Sequence, residues 1–182
     1  LTAPSIGCLN LHPSLLPRYR GASPVSTAIL SGEKVTGVTI IEMDEYMDAG
    51  PIVAQREIHI GTGENAENLT ARLFTIGAEL LAAILTDWVA GDIQTRAQDH
   101  TQMTLTKRIS KEQGRIDWGQ SAEFISRQIR AYHPWPGTFT MWKGRHLKVI
   151  QGSVIEPGLE SENAGYITMR NDGNLAVVTG QG

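Results

Sequence analysis

The sequence predicts an α/β fold followed by a small antiparallel β-barrel. Two short apolar runs, residues 6–11 and 37–43, have the length and composition of buried strands. Residues 64–89 carry apolar side chains at helical spacing, which predicts a long helix. Residues 138–179 hold short runs separated by Gly, Pro, Asn and Asp, the pattern of a small barrel. A hydrophobic content of 41% is enough for one or two packed domains.

The first strand, residues 6–11, leads into a proline-containing loop that ends at Gly21. A short helix is predicted at residues 25–30, because Pro24 supplies the fixed φ that suits a first helical position. A buried strand so close to the beginning of the chain lacks the parallel partners that such strands normally have. We therefore expect this strand to belong to a parallel sheet and the chain to be cut at both ends, since the last strand also ends abruptly.

Residues 37–43 are rich in β-branched side chains, and residues 51–60 alternate between apolar and polar side chains. Both patterns predict strands, the second partly exposed. The helix at residues 64–89 has its apolar positions at Leu69, Leu73, Ile76, Leu80 and Ile84. We expect Gly91 to end it, because glycine tolerates the left-handed backbone found beyond helix ends.

The second part of the chain begins after a polar, aperiodic segment that we interpret as a linker. Residues 121–132 have helical periodicity, and the HPWPG sequence at 133–137 ends this helix because proline cannot continue it. Four short strands are predicted at residues 138–142, 146–151, 165–169 and 175–179. The predicted domain organisation is residues 1–92, a linker at 93–110, and residues 111–182.

Composition narrows the class of protein further. The single cysteine, Cys8, excludes a disulfide framework. We expect no membrane span, since no uninterrupted apolar run approaches roughly 18 residues, and the first residues lack the pattern of a secretory signal. These features favour a cytosolic protein.

Charge is distributed unevenly along the chain. Residues 1–100 hold 6 Lys and Arg against 12 Asp and Glu, a net charge of −6, whereas residues 101–182 hold 10 against 7, a net charge of +3. The basic excess lies between Lys107 and Lys148. Such a segment attracts polyanions because neutralised phosphates release counterions, although on charge alone a solvated surface is the more common interpretation.

Asn10 and His12 are the first candidates for chemistry. They are two residues apart on a predicted strand, so their side chains project from the same face, while Leu9 and Leu11 point the other way. They also lie where the strand ends, the position at which open α/β sheets bind ligands. An amide donor and an imidazole suit acyl transfer through a tetrahedral intermediate. By itself, however, such a pair is more often a capping His and a turn-forming Asn.

The residues around Asn10 and His12 indicate a more specific function for this pair. The segment CLNLHPSLLPRYRGASP, residues 8–24, resembles the signature of the 10-formyltetrahydrofolate-dependent formyltransferases. The resemblance implies that Asn10 and His12 are catalytic and that a loop contributes to the folate site through Ser14, Leu15, Leu16 and Pro17. It also implies a third catalytic residue, an aspartate in a D-x-G-P-like turn, which Asp48 in the sequence MDAGPI matches. Asp44 is the rival carboxylate, and Gly50 and Pro51 favour Asp48.

The resemblance implies a mechanism in which an amine attacks the formyl carbon of 10-formyltetrahydrofolate. Asn10 is then expected to bind the oxyanion, His12 to transfer protons, and Asp48 to orient the imidazole and favour its charged form. The expected co-substrate is 10-formyltetrahydrofolate, and no metal is expected. The five histidines are scattered, which also argues against a metal site.

The sequence after the linker discriminates among relatives. Residues 105–140, beginning LTKRISKEQGRIDW and containing PWPG, resemble the start of the C-terminal domain of methionyl-tRNA formyltransferases. This resemblance implies the C-terminal half of a Rossmann-like formyltransferase domain followed by an incomplete OB-like β-barrel. It implies methionyl initiator tRNA as the acceptor, bound through the basic side chains of Lys107, Arg108, Lys111, Arg115, Arg127, Arg130, Lys143, Arg145 and Lys148. Trp135 and Trp142 are expected to pack the barrel more than to stack on bases.

Several alternatives stay open at this stage. Related enzymes formylate a small amine, such as a nucleotide sugar or a ribonucleotide amine, or hydrolyse the formyl-folate, and a silent folate-binding or RNA-binding module is a further alternative. GTGENA at residues 61–66 imitates a dinucleotide-binding fingerprint, but Asp87, where its acidic partner is sought, lies on the same helix. Ser14 lacks the glycine elbow of a nucleophile. We expect a monomer that is inactive without the βα units that precede the catalytic strand in this family.

Overall fold

The computed structural model describes residues 4–155, 163–170 and 172–181. Contacts between backbone positions divide the chain into two compact units, unit 1 (Leu1–Ile109) and unit 2 (Ser110–Gly182). In chain order, unit 1 contains β1 (Leu9–His12), β2 (Arg20–Gly21), α1 (Pro24–Leu30), β3 (Val35–Glu42), β4 (Ile52–His59), α2 (Ala66–Ala90), a 3-10 helix (His100–Gln102) and β5 (Leu105–Thr106).

The main sheet of unit 1 has the strand order β1-β3-β4, and both pairings are antiparallel. In the register of β1 and β3, Leu9 faces Glu42 and His12 faces Thr39. Among the described strands, β1 pairs with β3 alone, so the expectation of parallel partners for β1 stays a prediction. The β1–β3 pairing is antiparallel because β3 returns along β1 in the opposite direction after the loop and α1. Among the described strands, the two-residue strands β2 and β5 are the pair that runs in parallel.

Helix α2 confirms the predicted long helix and follows from its local sequence. The Asn65 side chain accepts a hydrogen bond from the backbone N–H of Asn68 at 2.9 Å, which caps the first turn. At the other end Gly91 has a φ of 81°, the left-handed conformation predicted for it. The buried face of α2 includes Gly77. A methyl group at this position would overlap the Leu11 side chain, so the absence of a side chain lets β1 approach the helix.

The length and apolar composition of α2 also bear on the expectation that the chain has no membrane span. By length and composition alone it is able to cross a membrane, since an 18-residue window has a mean hydropathy of 1.6 and 11% of that window is buried. One such helix is weak evidence, because core helices of soluble proteins meet the same criterion. Leu69 and Leu73, both completely buried, belong to the face of α2 that packs in unit 1.

The core of unit 1 lies between β3 and α2. Val38, Ile40 and Ile41 of β3 are each at most 2% exposed, as are Leu69 and Leu73 of α2. Burial of one such side chain stabilises a fold by about 1.5–3 kcal/mol. A register shift between Ile40 and Ile41 marks an irregularity in the pairing of β3 with β4, just before the chain reaches the turn that contains Asp48.

Residues 96–106, which fall within the predicted linker, form hydrogen bonds with the rest of unit 1. Arg96 pairs with Ile52 through backbone hydrogen bonds of 2.8 Å and 2.7 Å. Further along, Thr106 accepts from the backbone N–H of Ser23 at 3.0 Å and donates to the carbonyl oxygen of Arg20 at 2.9 Å. This segment therefore follows the surface of unit 1 and lies beside the strand end that carries Asn10 and His12.

Unit 2 contains a 3-10 helix (Glu112–Gly114), α3 (Ala122–Ala131), β6 (Thr138–Trp142), β7 (Arg145–Val149), β8 (Ile167–Met169) and β9 (Leu175–Val177). Ser121 caps α3 by accepting from the Phe124 N–H at 3.2 Å. The helix packs through Ile125 and Ile129 against Ile116, with Trp118 and Val149 beside them. The four strands lie where the sequence predicts them, within a few residues, and in the described residues they form two antiparallel pairs, β6-β7 and β8-β9.

Candidate active site

Strand β1 presents Asn10 and His12 to a single carboxylate. The Nδ2 atom of Asn10 donates to Oδ1 of Asp48 at 3.2 Å. The Nδ1 atom of His12 lies 3.6 Å from Oδ2 of the same carboxylate, with the two side chains 5% and 15% exposed. The structure thus brings together the three residues that the sequence analysis selected as catalytic.

Asp48 is held in an unusual backbone conformation. Its φ is 51°, in the left-handed region that residues other than glycine seldom adopt. Its Oδ2 atom accepts from the backbone N–H of Gly21 at 2.8 Å, so both carboxylate oxygens are engaged. Gly50 permits the turn, because a methyl group at that position would overlap the carbonyl oxygen of Glu42.

The imidazole of His12 lies between two acceptors. Its Nε2 atom is 2.9 Å from the carbonyl oxygen of Tyr19, which can only accept, so Nε2 carries a hydrogen. Its Nδ1 atom faces the Asp48 carboxylate, which also accepts when it is ionised. These two contacts fix the orientation of the ring, with Nε2 toward Tyr19 and Nδ1 toward Asp48.

Tyr19, whose carbonyl oxygen accepts from Nε2 of His12, also has a left-handed backbone conformation, with a φ of 61°. Its backbone N–H donates to Oγ1 of Thr104 at 2.8 Å, and its hydroxyl donates to Glu33 at 2.6 Å. Glu33 also accepts from the guanidinium of Arg18. The hydrogen bonds from Tyr19 and Arg18 lower the pKa of Glu33 despite its partial burial.

Asp44 and Asp48, the two candidate carboxylates, differ in their contacts. Asp44 accepts from the backbone N–H of Tyr46 at 2.9 Å, a local turn contact, and lies on the wall of a cavity. Asp48, in contrast, contacts both side chains that β1 presents. The geometry therefore supports the choice of Asp48 that the following glycine and proline suggested.

The Ser14 to Pro17 loop is largely packed into unit 1. The Ser14 hydroxyl is completely buried and donates to the carbonyl oxygen of Arg18 at 2.7 Å. Leu16 is 3% exposed and packs with Ile41 and Ile52. Leu15 and Pro17 are half-buried. Ser14 and Leu16 are thus packing residues in this structure, and a nucleophilic role for Ser14 has no geometric support.

A cavity of about 560 Å³ opens on unit 1 beside the Asp48 turn. This volume lies in the range of sites for small molecules and cofactors. The lining combines apolar, aromatic and charged groups and consists of Arg20, Asp44, Tyr46, Met47, Ala49, His100 and Met103. Asp44 is the only one of these that the sequence analysis weighed for a site.

Two buried polar residues beside the site escaped sequence reasoning. Gln98 is 6% exposed, and its Nε2 atom donates to the carbonyl oxygens of Asp48 and Gly50 at 2.9 Å and 2.7 Å. Arg20 is 3% exposed and donates to Oε1 of Gln98. Arg20 falls within the family signature, but Gln98 lies in a polar, aperiodic segment where no local pattern marks it.

The basic residues predicted to contact tRNA occupy several elements. Lys107 and Arg108 lie at the end of unit 1. In unit 2, Lys111 and Arg115 flank the 3-10 helix, Arg127 and Arg130 lie one turn apart on α3, Lys143 lies in the β6-β7 turn, and Arg145 and Lys148 lie on β7.

Local environment distinguishes some of these cations. Burial lowers the pKa of Arg130, and the charge of nearby Arg127 lowers it further, so α3 concentrates positive charge at one position. The Nζ atom of Lys143 lies 4.8 Å from the centre of the Trp142 ring. Trp142 is 50% exposed and Trp135 is 53% exposed. The packing role that the sequence favoured therefore buries only about half of each side chain.

Within residues 4–155, 163–170 and 172–181, no group of three or more His, Cys, Asp and Glu side chains is placed to hold a metal ion. Every buried side-chain nitrogen or oxygen in these ranges has a hydrogen-bond partner.

The convergence of Asn10, His12 and Asp48 is what the resemblance to the formyltransferases implied. Residues 1–85 match the formyl transferase family, and residues 108–182 match the formyl transferase C-terminal domain. The chain belongs to the formyl transferase family.

Individual members of the family are also similar in sequence to this chain. The methionyl-tRNA formyltransferase of Chloroflexus aurantiacus strain J-10-fl is 46% identical over 180 residues, which are 99% of this chain and 58% of that protein. The chain therefore spans little more than half the length of this relative.

Solved structures share the fold. HypX from Aquifex aeolicus in complex with tetrahydrofolic acid superimposes with a TM-score of 0.72 at 22% identity, covering 94% of this chain and 30% of that one. An N-formyltransferase from Helicobacter canadensis, in complex with folinic acid and dTDP-3-aminofucose, superimposes with a TM-score of 0.71 at 22% identity, covering 94% and 65%.

Proposed function

We propose that this chain is part of a methionyl-tRNA formyltransferase, which transfers the formyl group of 10-formyltetrahydrofolate to the α-amino group of methionyl initiator tRNA. The observation that carries the proposal is the convergence of Asn10 and His12 on one carboxylate, that of Asp48. The choice of acceptor rests on the 46% identity to a relative of that name.

Each of the three side chains has a role that its contacts support. The Asn10 amide has two hydrogens on Nδ2, one directed to Asp48 and one left to donate to the carbonyl oxygen on which negative charge develops. The Asp48 carboxylate orients both the Asn10 amide and the His12 ring. His12 exchanges protons with the attacking and departing nitrogens through Nδ1, because Nε2 is bound to the Tyr19 carbonyl oxygen and the 3.6 Å from Nδ1 to Asp48 is longer than a hydrogen bond.

The cavity beside the Asp48 turn is proposed to hold part of the folate or of the acceptor. When bound, 10-formyltetrahydrofolate supplies the formyl carbon. The cavity wall fits a flat polar ring, since Arg20 and His100 offer polar atoms while Tyr46, Met47 and Met103 offer apolar surface. Leu15 and Pro17, half-buried in their loop, are proposed to add contacts with the folate.

Unit 2 is proposed to be an incomplete OB-like barrel that contacts the tRNA backbone. Its two antiparallel strand pairs and its basic residues on α3 and β7 support this role. Phosphate contacts position a nucleic acid without reading its bases, so exposed Lys and Arg are sufficient. We further propose that the protein is a monomer in the cytosol. Its proposed organisation is residues 1–92, a linker at 93–110, and residues 111–182.

One assay tests the function directly. The full-length protein is incubated with 10-formyltetrahydrofolate and, separately, with methionyl initiator tRNA, a ribonucleotide amine, an amino sugar nucleotide or no acceptor. Formylation of the tRNA alone is the expected result. Preferred formylation of a small amine, or release of formate at an equal rate without acceptor, would overturn the proposal.

A further inference from the structure

The side chain of Gln98 joins the Asp48 turn to a buried arginine. Its Nε2 atom uses both hydrogens, one for the carbonyl oxygen of Asp48 at 2.9 Å and one for that of Gly50 at 2.7 Å. Its Oε1 atom accepts from Nε and Nη2 of Arg20 at 3.1 Å and 2.5 Å. Gln98 therefore fills its hydrogen-bonding capacity within unit 1.

The Asp48 turn needs such support. A non-glycine residue at a φ of 51° persists only where its surroundings hold it there. Gln98 binds the carbonyl groups of Asp48 itself and of Gly50, two residues further, so it spans the turn from outside. A rotation of this backbone would carry the Asp48 carboxylate away from Asn10 and His12.

Arg20 determines which way the Gln98 amide faces. A guanidinium only donates hydrogen bonds, so the oxygen of Gln98 must face it and the nitrogen must face the two carbonyl groups. Arg20 is itself fixed, because its backbone N–H donates to the carbonyl oxygen of Thr104 at 2.9 Å and its Nη1 lies 3.4 Å from Sδ of Met103. The amide orientation is thus set by a second buried residue.

The same segment supports the other side of His12. Thr104, six residues after Gln98, accepts from the backbone N–H of Tyr19, whose carbonyl oxygen accepts from Nε2 of His12. Among the described residues, Tyr19 and Asp48 are two of the three non-glycine residues with positive φ, and they face the two nitrogens of this imidazole. Gln98 and Thr104 therefore hold the two strained neighbours of His12.

The geometry points to Gln98 as a positioning residue that holds the Asp48 carboxylate against Asn10 and His12, with Arg20 fixing its amide. Gln98 acts through Asp48 and does not touch the reacting atoms. The inference rests on the proposed function, because it requires Asp48 to be catalytic.

The first experiment replaces Gln98 by methionine in the full-length protein, which keeps the length of the side chain and removes its hydrogen bonds. We expect kcat for methionyl-tRNA formylation to fall about 10- to 100-fold, since small displacements of catalytic groups have such effects. The KM values for both substrates should stay within about twofold. Gln102→Met is the matched control, because Gln102 lies exposed on the same segment and donates to Asp99. It should leave kcat unchanged.

A double-mutant cycle separates positioning from general destabilisation. If Gln98 acts through Asp48, adding Gln98→Met to Asp48→Ala should lower kcat by no more than about twofold beyond Asp48→Ala alone. Losses that multiply in the double variant would overturn the inference, as would a Gln98→Met enzyme with the kcat of the wild type.

A second variant guards against poor folding of Gln98→Met. Gln98→Glu keeps an acceptor for Arg20 but offers no donor to the Asp48 and Gly50 carbonyl groups. We expect the same loss of kcat, measured per folded molecule from circular dichroism, and a kcat near that of the wild type would count against the inference. Should Asp48→Ala itself retain full turnover, the proposed function fails instead, so the two failures are distinguishable.

Discussion

Asn10 and Asp48 are 38 residues apart in sequence, and the Asn10 amide donates to Oδ1 of Asp48 at 3.2 Å. The same carboxylate lies 3.6 Å from Nδ1 of His12. One aspartate thereby aligns an oxyanion donor with a proton-transfer group, and the testable consequences begin with these three side chains.

Asn10→Ala, His12→Ala and Asp48→Ala should each lower kcat by about 100-fold or more in the full-length enzyme, as the loss of one oxyanion donor does elsewhere. Initial rates of methionyl-tRNA formylation measure this. Asp87→Asn, an exposed carboxylate on α2, is the control and should retain the kcat of the wild type. A variant of any of the three with near-normal kcat would remove that residue from its role.

Gly50→Ala should lower the free energy of unfolding by about 1–3 kcal/mol, because the added methyl group overlaps the Glu42 carbonyl oxygen and the backbone must move. The same movement displaces Asp48, so kcat should fall as well. Gly61→Ala is the control, since its methyl group would meet only the flexible Glu64 side chain. Urea unfolding and formylation rates test both variants, and equal stabilities would contradict the expectation.

Tyr19→Phe should weaken the dependence of stability on acid pH. The Tyr19 hydroxyl and Arg18 lower the pKa of Glu33 below its ordinary 4.5, so the stabilisation is complete above that value and is lost as pH falls through the lowered pKa of the folded state. The wild type and Tyr19→Phe should therefore differ most near neutral pH and converge in acid. Unfolding free energies across this pH range measure the difference.

Tyr166→Phe is the matched control for that experiment, since Tyr166 is 57% exposed in unit 2. It should follow the wild-type curve throughout. A Tyr19→Phe curve parallel to the wild type down to strongly acid pH would show that Glu33 does not carry the effect.

Replacing Lys143, Arg145 and Lys148 together by glutamine should weaken tRNA binding. If each contacts one phosphate, the slope of log K against log salt should become shallower by about 2–3, while folate binding stays the same. The control replaces three cations outside the basic segment, Lys34, Arg56 and Arg170, by glutamine. Binding titrations at several salt concentrations decide the matter, and an unchanged slope would argue against this surface.

The helices and most strands follow from local sequence. Asn65 and Ser121 cap α2 and α3 through hydrogen bonds to the third residue beyond each cap, and Gly91 ends α2. Such contacts span only a few residues, so periodicity and capping patterns are sufficient to predict them. The antiparallel pairing of β1 with β3 was not predicted, because a strand pattern carries no information on which way its partner runs.

The sequence by itself determined that Asn10 and His12 share a face, since side chains two apart on a strand project together. Their meeting with Asp48, and the support of its turn by Gln98 fifty residues further along, were decided only by the tertiary structure. The physical reason is that these contacts depend on how β3 returns against β1 and on where residues 96–106 dock. Both are fixed by packing and by backbone pairing between distant segments, which no local pattern encodes.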